Sequence, residues 1–173
     1  AWRSLKRFHQ FNPLKKSEQN VLHHYNLTPE FYRLWLDPTM NYSCAYFTDP
    51  ANTLEQAQQD KMRHIAAKLQ LQPGMSVLDM GCGWGALSCY LAAHQGVNVT
   101  GITLSPEQAG ISLQRAKDMN VADKVTIQVR DYREMTGTFD RIVSIGMMEH
   151  VGISHFDEYF NSVKRLTKAG GYA

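Results

Sequence analysis

Between residues 79 and 85 the chain reads Asp79, Met80, Gly81, Cys82, Gly83, Trp84 and Gly85, with glycines at alternate positions behind an acid. Glycines at a bend let the backbone turn sharply and approach a ligand with no Cβ in the way, and a helix starting there offers N–H groups that lack intrahelical partners. The chemistry this favours is the binding of a small polar or anionic cofactor. Two other stretches carry groups able to act beside such a ligand. Met40 to Phe47 reads MNYSCAYF and gathers Tyr42, Ser43 and Cys44 upstream of the loop, and Glu149 with His150 stands downstream of it. A tight turn alone would explain the glycines, and a surface acid at a strand end would explain Glu149. The elements around them weigh against both.

From Pro73 the pattern alternates between strand and helix. Ser76 to Met80 is a short buried strand, Ala86 to His94 a helix, and Val97 to Thr103 a second strand. Ser105 to Gln108 has the form of a capping box with Pro106 at the first helical position, leading a helix to about Met119. Val125 to Val129 alternates as a third strand, Phe139 to Gly146 is a fourth, and Ser154 to Lys168 is a helix closed by Gly170. This alternation specifies an α/β fold, a doubly wound parallel sheet covered on both faces, with ligands at the carboxyl ends of its strands. Before it lies a helical extension. Ser17 to Tyr25 is a short helix, and Thr28, Pro29 and Glu30 open another that carries Phe31, Leu34 and Trp35 and ends at Asp37-Pro38. Thr53 to Gln56 caps a third, with Ala57, Met62, Ile65, Ala66 and Leu69 on its apolar face. The expected division is a lid-forming extension over residues 1–72 and a core over 73–173. With Gly170, Gly171, Tyr172 and Ala173 following the last helix, the sheet is expected to be truncated before its fifth strand.

Composition excludes several classes. The 173 residues are 43% hydrophobic and 20% charged, ordinary for one globular domain. No apolar run approaches the roughly 18 residues of a membrane span. A net charge of +2 does not favour nucleic acid as a partner. Arg3, Lys6, Arg7, Lys15 and Lys16, interleaved with Trp2, Leu5, Phe8 and Phe11, read either as a solvated arm or as a segment that lies on an anionic membrane surface. Cys44, Cys82 and Cys89 have no disulfide or CxxC spacing, which fits a reduced cytoplasmic protein, with Cys82 and Cys89 as packing residues. No signal peptide is visible, and the histidines have no zinc spacing, so no metal is assigned.

Spacing narrows the cofactor. Dinucleotide binders use GxGxxG, and phosphate-binding loops need a lysine after the last glycine. The GxGxG pattern after a strand ending in acid is that of S-adenosylmethionine-dependent methyltransferases. In most of these the second strand ends in an acid that holds the ribose. Here it ends Gly101, Ile102, Thr103, Leu104, Ser105, so Thr103 and Gln108 are expected to supply polar contacts from that corner.

At this point the chain resembles the cyclopropane-fatty-acyl-phospholipid synthases and the related mycolic acid cyclopropane synthases. The resemblance is carried by His24-Tyr25-Asn26-Leu27, by Phe31 to Met40, by Tyr42 to Phe47, by Leu78 to Gly85, by Gly101 to Ser105, and by Asp140 to Gly146 running into Glu149-His150. It implies transfer of a methylene unit from S-adenosylmethionine to a cis double bond of an unsaturated phospholipid acyl chain, at the inner face of the membrane. It also implies a bicarbonate ion as proton acceptor, held by Glu149 and Cys44 together with a histidine and a tyrosine beyond Ala173, with Tyr25 reaching the acyl site. The implied cofactor contacts are Tyr42, Ser43, Asp79, Gly81, Gly83, Gly85, Thr103, Leu104, Ser105, Gln108, Tyr132 and Ile145. Tyr132 stands where relatives often have tryptophan, and either ring can cover an adenine. Other readings are a C- or O-methyltransferase acting on another hydrophobic small molecule, and a cofactor-binding fragment without activity. Peripheral membrane contact is expected, and the oligomeric state stays open.

Overall fold

The computed structural model describes residues 28–173. Tyr25, the Ser17–Tyr25 helix and the basic aromatic cluster lie outside the described residues. The chain enters at α1 (Pro29–Arg33), which has proline in its first turn and Glu30 beside it. Pro38 prevents the helix from continuing, and the buried carboxylate of Asp37 then folds the chain back on itself. It accepts from the backbone N–H groups of Thr39 at 2.9 Å and Asn41 at 2.8 Å, and from the Thr39 hydroxyl. α2 (Leu54–Leu69) starts at the expected capping box, Gln56 N–H donating to Thr53 Oγ1 at 3.3 Å and Thr53 N–H to Gln56 Oε1 at 2.8 Å.

The core then runs β1 (Ser76–Met80), α3 (Ala86–Gln95), β2 (Asn98–Thr103), α4 (Pro106–Asp118), β3 (Val125–Val129), a 3-10 turn at Tyr132–Glu134, β4 (Phe139–Val143), a short α5 (Met148–Val151), α6 (Phe156–Leu166) and β5 (Thr167–Tyr172). The strands form one sheet in the order β3-β2-β1-β4-β5, each pair parallel. Period-two alternation sends the side chains of β1 to opposite layers. Val77 joins the cluster built with Met62, Ala66, Leu87, Leu91, Val99 and Ala116, while Leu78 and Met80 join Ile102, Ile142, Tyr159 and Leu166 on the other face. Both faces are therefore covered, as a doubly wound sheet requires.

The expected truncation before the fifth strand is wrong. α6 ends at Leu166, and Thr167 turns extended, its hydroxyl donating to the Val163 carbonyl at 2.7 Å. The next residues pair with β4 through Phe139↔Thr167 and Arg141↔Tyr172, with an irregularity between. Gly170, which read as a helix stop, and Gly171 beside it are what lets this strand approach. Gly170 has φ +75, and a Cβ on Gly171 would lie 2.8 Å from the Asp140 carbonyl oxygen. Lys168 Nζ fastens the strand, at 2.9 Å from both carboxylate oxygens of Asp140.

Under the glycine loop lies a buried acid. Asp79 is 1% exposed and accepts a 2.6 Å hydrogen bond from Ser88 Oγ of α3. Burial pushes its carboxyl up to about 6 from an ordinary 3.8, against the lowering effect of the Ser88 hydroxyl. With the folded pKa above the unfolded one, the folded state holds the extra proton. The stability linked to Asp79 is full below about pH 4 and is lost as pH rises through about 6. Asp79→Asn keeps an acceptor for Ser88 and removes the charge. Urea unfolding of both proteins at pH 4 and pH 7 should show the wild type losing on the order of 1–3 kcal/mol relative to the variant. Parallel stability curves would contradict this account of Asp79.

Candidate active site

A cleft of about 630 Å³ opens over the carboxyl ends of the strands. Its floor is the β1–α3 loop. Gly81, Gly83 and Gly85 all have positive φ, at +80, +53 and +78, so the alternate glycines are required by the backbone. The N–H groups of Gly81 and Cys82 both donate to the Ile102 carbonyl of β2, at 3.0 and 2.9 Å. The loop carbonyls of Gly83 and Trp84 accept from α4, through Ser112 Oγ at 3.2 Å and Arg115 Nε at 3.1 Å. Among the described residues the N–H groups of Gly83 and Trp84 keep no partner, and they are the loop donors left for a ligand. Gly85 lies outside the lining. It caps α3 and packs against Ser112, whose Cβ would be 2.6 Å from a Cβ at that position.

At the end of β2, Thr103 and Gln108 do share a corner, and they bond to each other. Thr103 Oγ1 donates to Gln108 Oε1 at 2.7 Å, which leaves the Gln108 amide NH2 as the donor on the cleft side. The capping box expected at Ser105 is only half made. Ser105 Oγ accepts from Gln108 N–H at 3.2 Å, while the Gln108 side chain is committed to Thr103. Ser105 is buried outside the lining, and Leu104 is on it. Past β3, Tyr132 lines the cleft and packs edge-on against Tyr159, their centroids 5.6 Å apart. Burial raises its phenol to about 12, so it is neutral. Its neighbour Asp131 is locked by Arg133, which donates from Nε at 2.8 Å and from the terminal guanidinium nitrogen at 2.7 Å.

The fourth side of the cleft comes from the extension. Tyr32, Met40 and Trp84 form a cluster that seats the extension on the glycine loop, with the Tyr32 and Trp84 rings 5.5 Å apart. Asn41, Tyr42 and Ser43 line the cleft. Gln58 Nε2 of α2 donates to the carbonyls of Asn41 at 3.3 Å and Ser43 at 3.1 Å, and Lys61 Nζ donates to Ser43 Oγ at 2.7 Å. Beyond β4, Ile145 and Gly146 complete the wall. A Cβ on Gly146 would lie 3.7 Å from Ser43 Cβ and 3.9 Å from Glu149 Oε1, so Ser43 and Glu149 flank the same glycine. Cys44 and Glu149 are exposed and stand at the edge of this wall, not within the lining. Cys82 and Cys89 are buried, and burial pushes both thiols up, Cys89 to about 11.

Sequence reasoning missed Gln58, Lys61 and Asp131. The signal for the first two was present, since a glutamine and a lysine three residues apart fall among the apolar positions of α2. Asp131 carried none beyond its place before Tyr132. Among the described residues no group of histidine, cysteine and acid could hold a metal ion, and no helix is long and apolar enough to cross a membrane.

Comparison with known proteins agrees with this geometry. Residues 12–173 match the family model described as mycolic acid cyclopropane synthetase. The chain is 49% identical over 148 residues to the cyclopropane-fatty-acyl-phospholipid synthase of Escherichia coli (strain K12), covering 86% of this chain and 37% of that protein. It is 46% identical over 153 residues to a probable fatty acid methyltransferase of Pseudomonas putida, covering 87% of this chain and 39% of the relative. The crystal structure of a mycolic acid cyclopropane synthase complexed with SAH and CTAB superposes with a TM-score of 0.85 at 40% identity, over 92% of this chain and 55% of the other. The chain thus spans about two fifths of the first two relatives and about half of the third. It belongs to the mycolic acid cyclopropane synthetase family.

Proposed function

We propose that the protein uses S-adenosylmethionine to add a methylene unit to a cis double bond of an unsaturated phospholipid acyl chain, giving a cyclopropane fatty acid. The observation that carries this is the cleft itself, a glycine loop at the carboxyl edge of a parallel sheet, walled on its fourth side by the Asn41–Ser43 segment. The residues present fit the cofactor. Gly81 and Gly83 clear the floor, the Gly83 and Trp84 N–H groups and the Gln108 amide supply donors, and Tyr132, Leu104 and Ile145 supply apolar wall. Tyr42, Ser43 and Thr103 add polar contacts. Asp79 adds a polar group on the lining, and Gly85 and Ser105 act by shaping the loop and the α4 terminus. When bound, the cofactor supplies an activated methyl group.

An alkene is a weak nucleophile with no proton to lose before it attacks, so the site needs alignment and exclusion of water more than a strong base. After methyl transfer the acyl chain carries a cation, and closing the ring removes one proton from the added methyl group. We assign that proton to a bicarbonate ion held at the Gly146 rim by Glu149 and Cys44, with Tyr25 contributing from the extension. Support for the rim is the approach of Ser43 and Glu149 to the same glycine. We further read residues 1–72 as a lid and 73–173 as the cofactor-binding core, and place the protein in the cytoplasm, peripherally bound to the inner face of the membrane through its basic aromatic N-terminal segment.

A second reading, simple methylation of the acyl chain, is favoured by the likeness to a probable fatty acid methyltransferase. Incubation with labelled S-adenosylmethionine and vesicles of unsaturated phospholipid, followed by mass spectrometry of the acyl chains, separates the two. Ring-containing chains are expected. Methyl-branched chains would establish the second reading, and unaltered chains would exclude both. Cys44→Ala should lower turnover by about tenfold or more while changing cofactor affinity less than about threefold, since only the proton-accepting step loses a partner. An equal loss in both would contradict the role given to Cys44.

A further inference from the structure

Lys61 is 8% exposed, lines the cleft, and carries its charge there with no ion-pair partner among the described residues. Among the described residues no carboxylate is within ion-pair distance of its ammonium. Asp37, the acid whose field acts on it most, is committed elsewhere, both of its oxygens accepting from Thr39 or Asn41. Burial lowers the ammonium to about 8, with Asp37 and Cys44 opposing the shift, so it is still charged at neutral pH. A buried, unpaired cation is costly, and proteins keep one where a ligand completes the pair.

The one hydrogen bond it makes, 2.7 Å to Ser43 Oγ, has a direction. An ammonium only donates, so the serine oxygen must accept, and its own O–H is turned away from Lys61. Ser43 is itself fixed, its carbonyl held by Gln58 and its Cβ set against Gly146 beyond β4. Ser43 faces Gly146, which follows β4, whereas Thr103 and its partner Gln108 stand at the end of β2, and β1 lies between those two strands. A donor molecule whose adenosine half lies toward β2 and β3 has its amino-acid half over β1 and β4, beside Lys61 and Ser43.

We infer that Lys61 and Ser43 form the recognition corner for the carboxylate of the methyl donor, Lys61 supplying the missing countercharge and orienting the Ser43 hydroxyl as a donor. This rests on the S-adenosylmethionine reading above. Lys61 is a positioning residue, tested by which ligand its loss affects.

Calorimetric titration with S-adenosylmethionine and with its decarboxylated form, which differs only by the carboxylate, reads the assignment directly. Lys61→Met should weaken S-adenosylmethionine about tenfold or more and the decarboxylated form less than about twofold, as loss of a charge-assisted contact requires. Ser43→Ala should shift the same ratio in the same direction, and the double variant should lose little beyond Lys61→Met alone. Retained binding of the decarboxylated ligand shows that each variant is folded. Equal loss for the two ligands, or no loss for either, overturns the assignment. Failure of the wild-type protein to bind S-adenosylmethionine overturns the cofactor reading, and the assignment with it.

Discussion

Two polar side chains on α2 hold the site together. Gln58 and Lys61, less than one helical turn apart, take the carbonyls of Asn41 and Ser43 and the Ser43 hydroxyl, and so fix an extended segment across the mouth of the sheet. An unpaired backbone carbonyl buried at that depth would be costly, so these bonds determine where the segment rests. Everything contributed by the extension depends on them. Asp37 sets the turn that delivers the segment, and the Tyr32–Trp84 contact seats it on the glycine loop. Without this clamp the cleft would be the open groove common to parallel sheets, with one wall missing.

The remaining walls follow from the sheet. Parallel strands end together, and at these ends the loops after β1, β2, β3 and β4 bring the glycine backbone, the Thr103–Gln108 pair, Tyr132, and the Ile145–Gly146 turn into one volume. The loop is tied from two sides, by Ile102 of β2 and by Ser112 and Arg115 of α4, so its free donors are preorganised. Charge within the cleft is sparse and separated. Asp79 is buried in the floor, Asp131 is paired with Arg133, Arg130 lines the cleft beside it, and at the Gly146 corner Lys61 donates to Ser43 while Glu149 approaches the same glycine. Such a site favours a ligand with an apolar or aromatic body and an anionic end.

Much of this was legible in the sequence. Apolar runs of strand length bounded by glycine and capping residues gave β1 to β4 and the helices between them, because burial on both faces and capping are local properties. β5 was misread because Gly170 is an ambiguous signal. A glycine stops a helix and also permits close approach between strands, and the packing of the next residue, Gly171, on Asp140 decides which applies. In the site, Gly81, Gly83, Tyr42, Ser43, Thr103 and Gln108 line one cleft, while Gly85 lies behind it. The Thr103–Gln108 bond and the Gln58–Lys61 clamp were hidden because they depend on side-chain direction across elements distant in sequence.

One ligand bridging the clamped Asn41–Ser43 segment and the carboxyl edge of the sheet would shield both at once. Amide hydrogen exchange with and without saturating S-adenosylhomocysteine reads this. Added protection is expected together at residues 40–43, at the Gly83 and Trp84 amides, and around Gln108 and Tyr132. Protection that spares residues 40–43, or that spares the Gly83 and Trp84 amides, would contradict it.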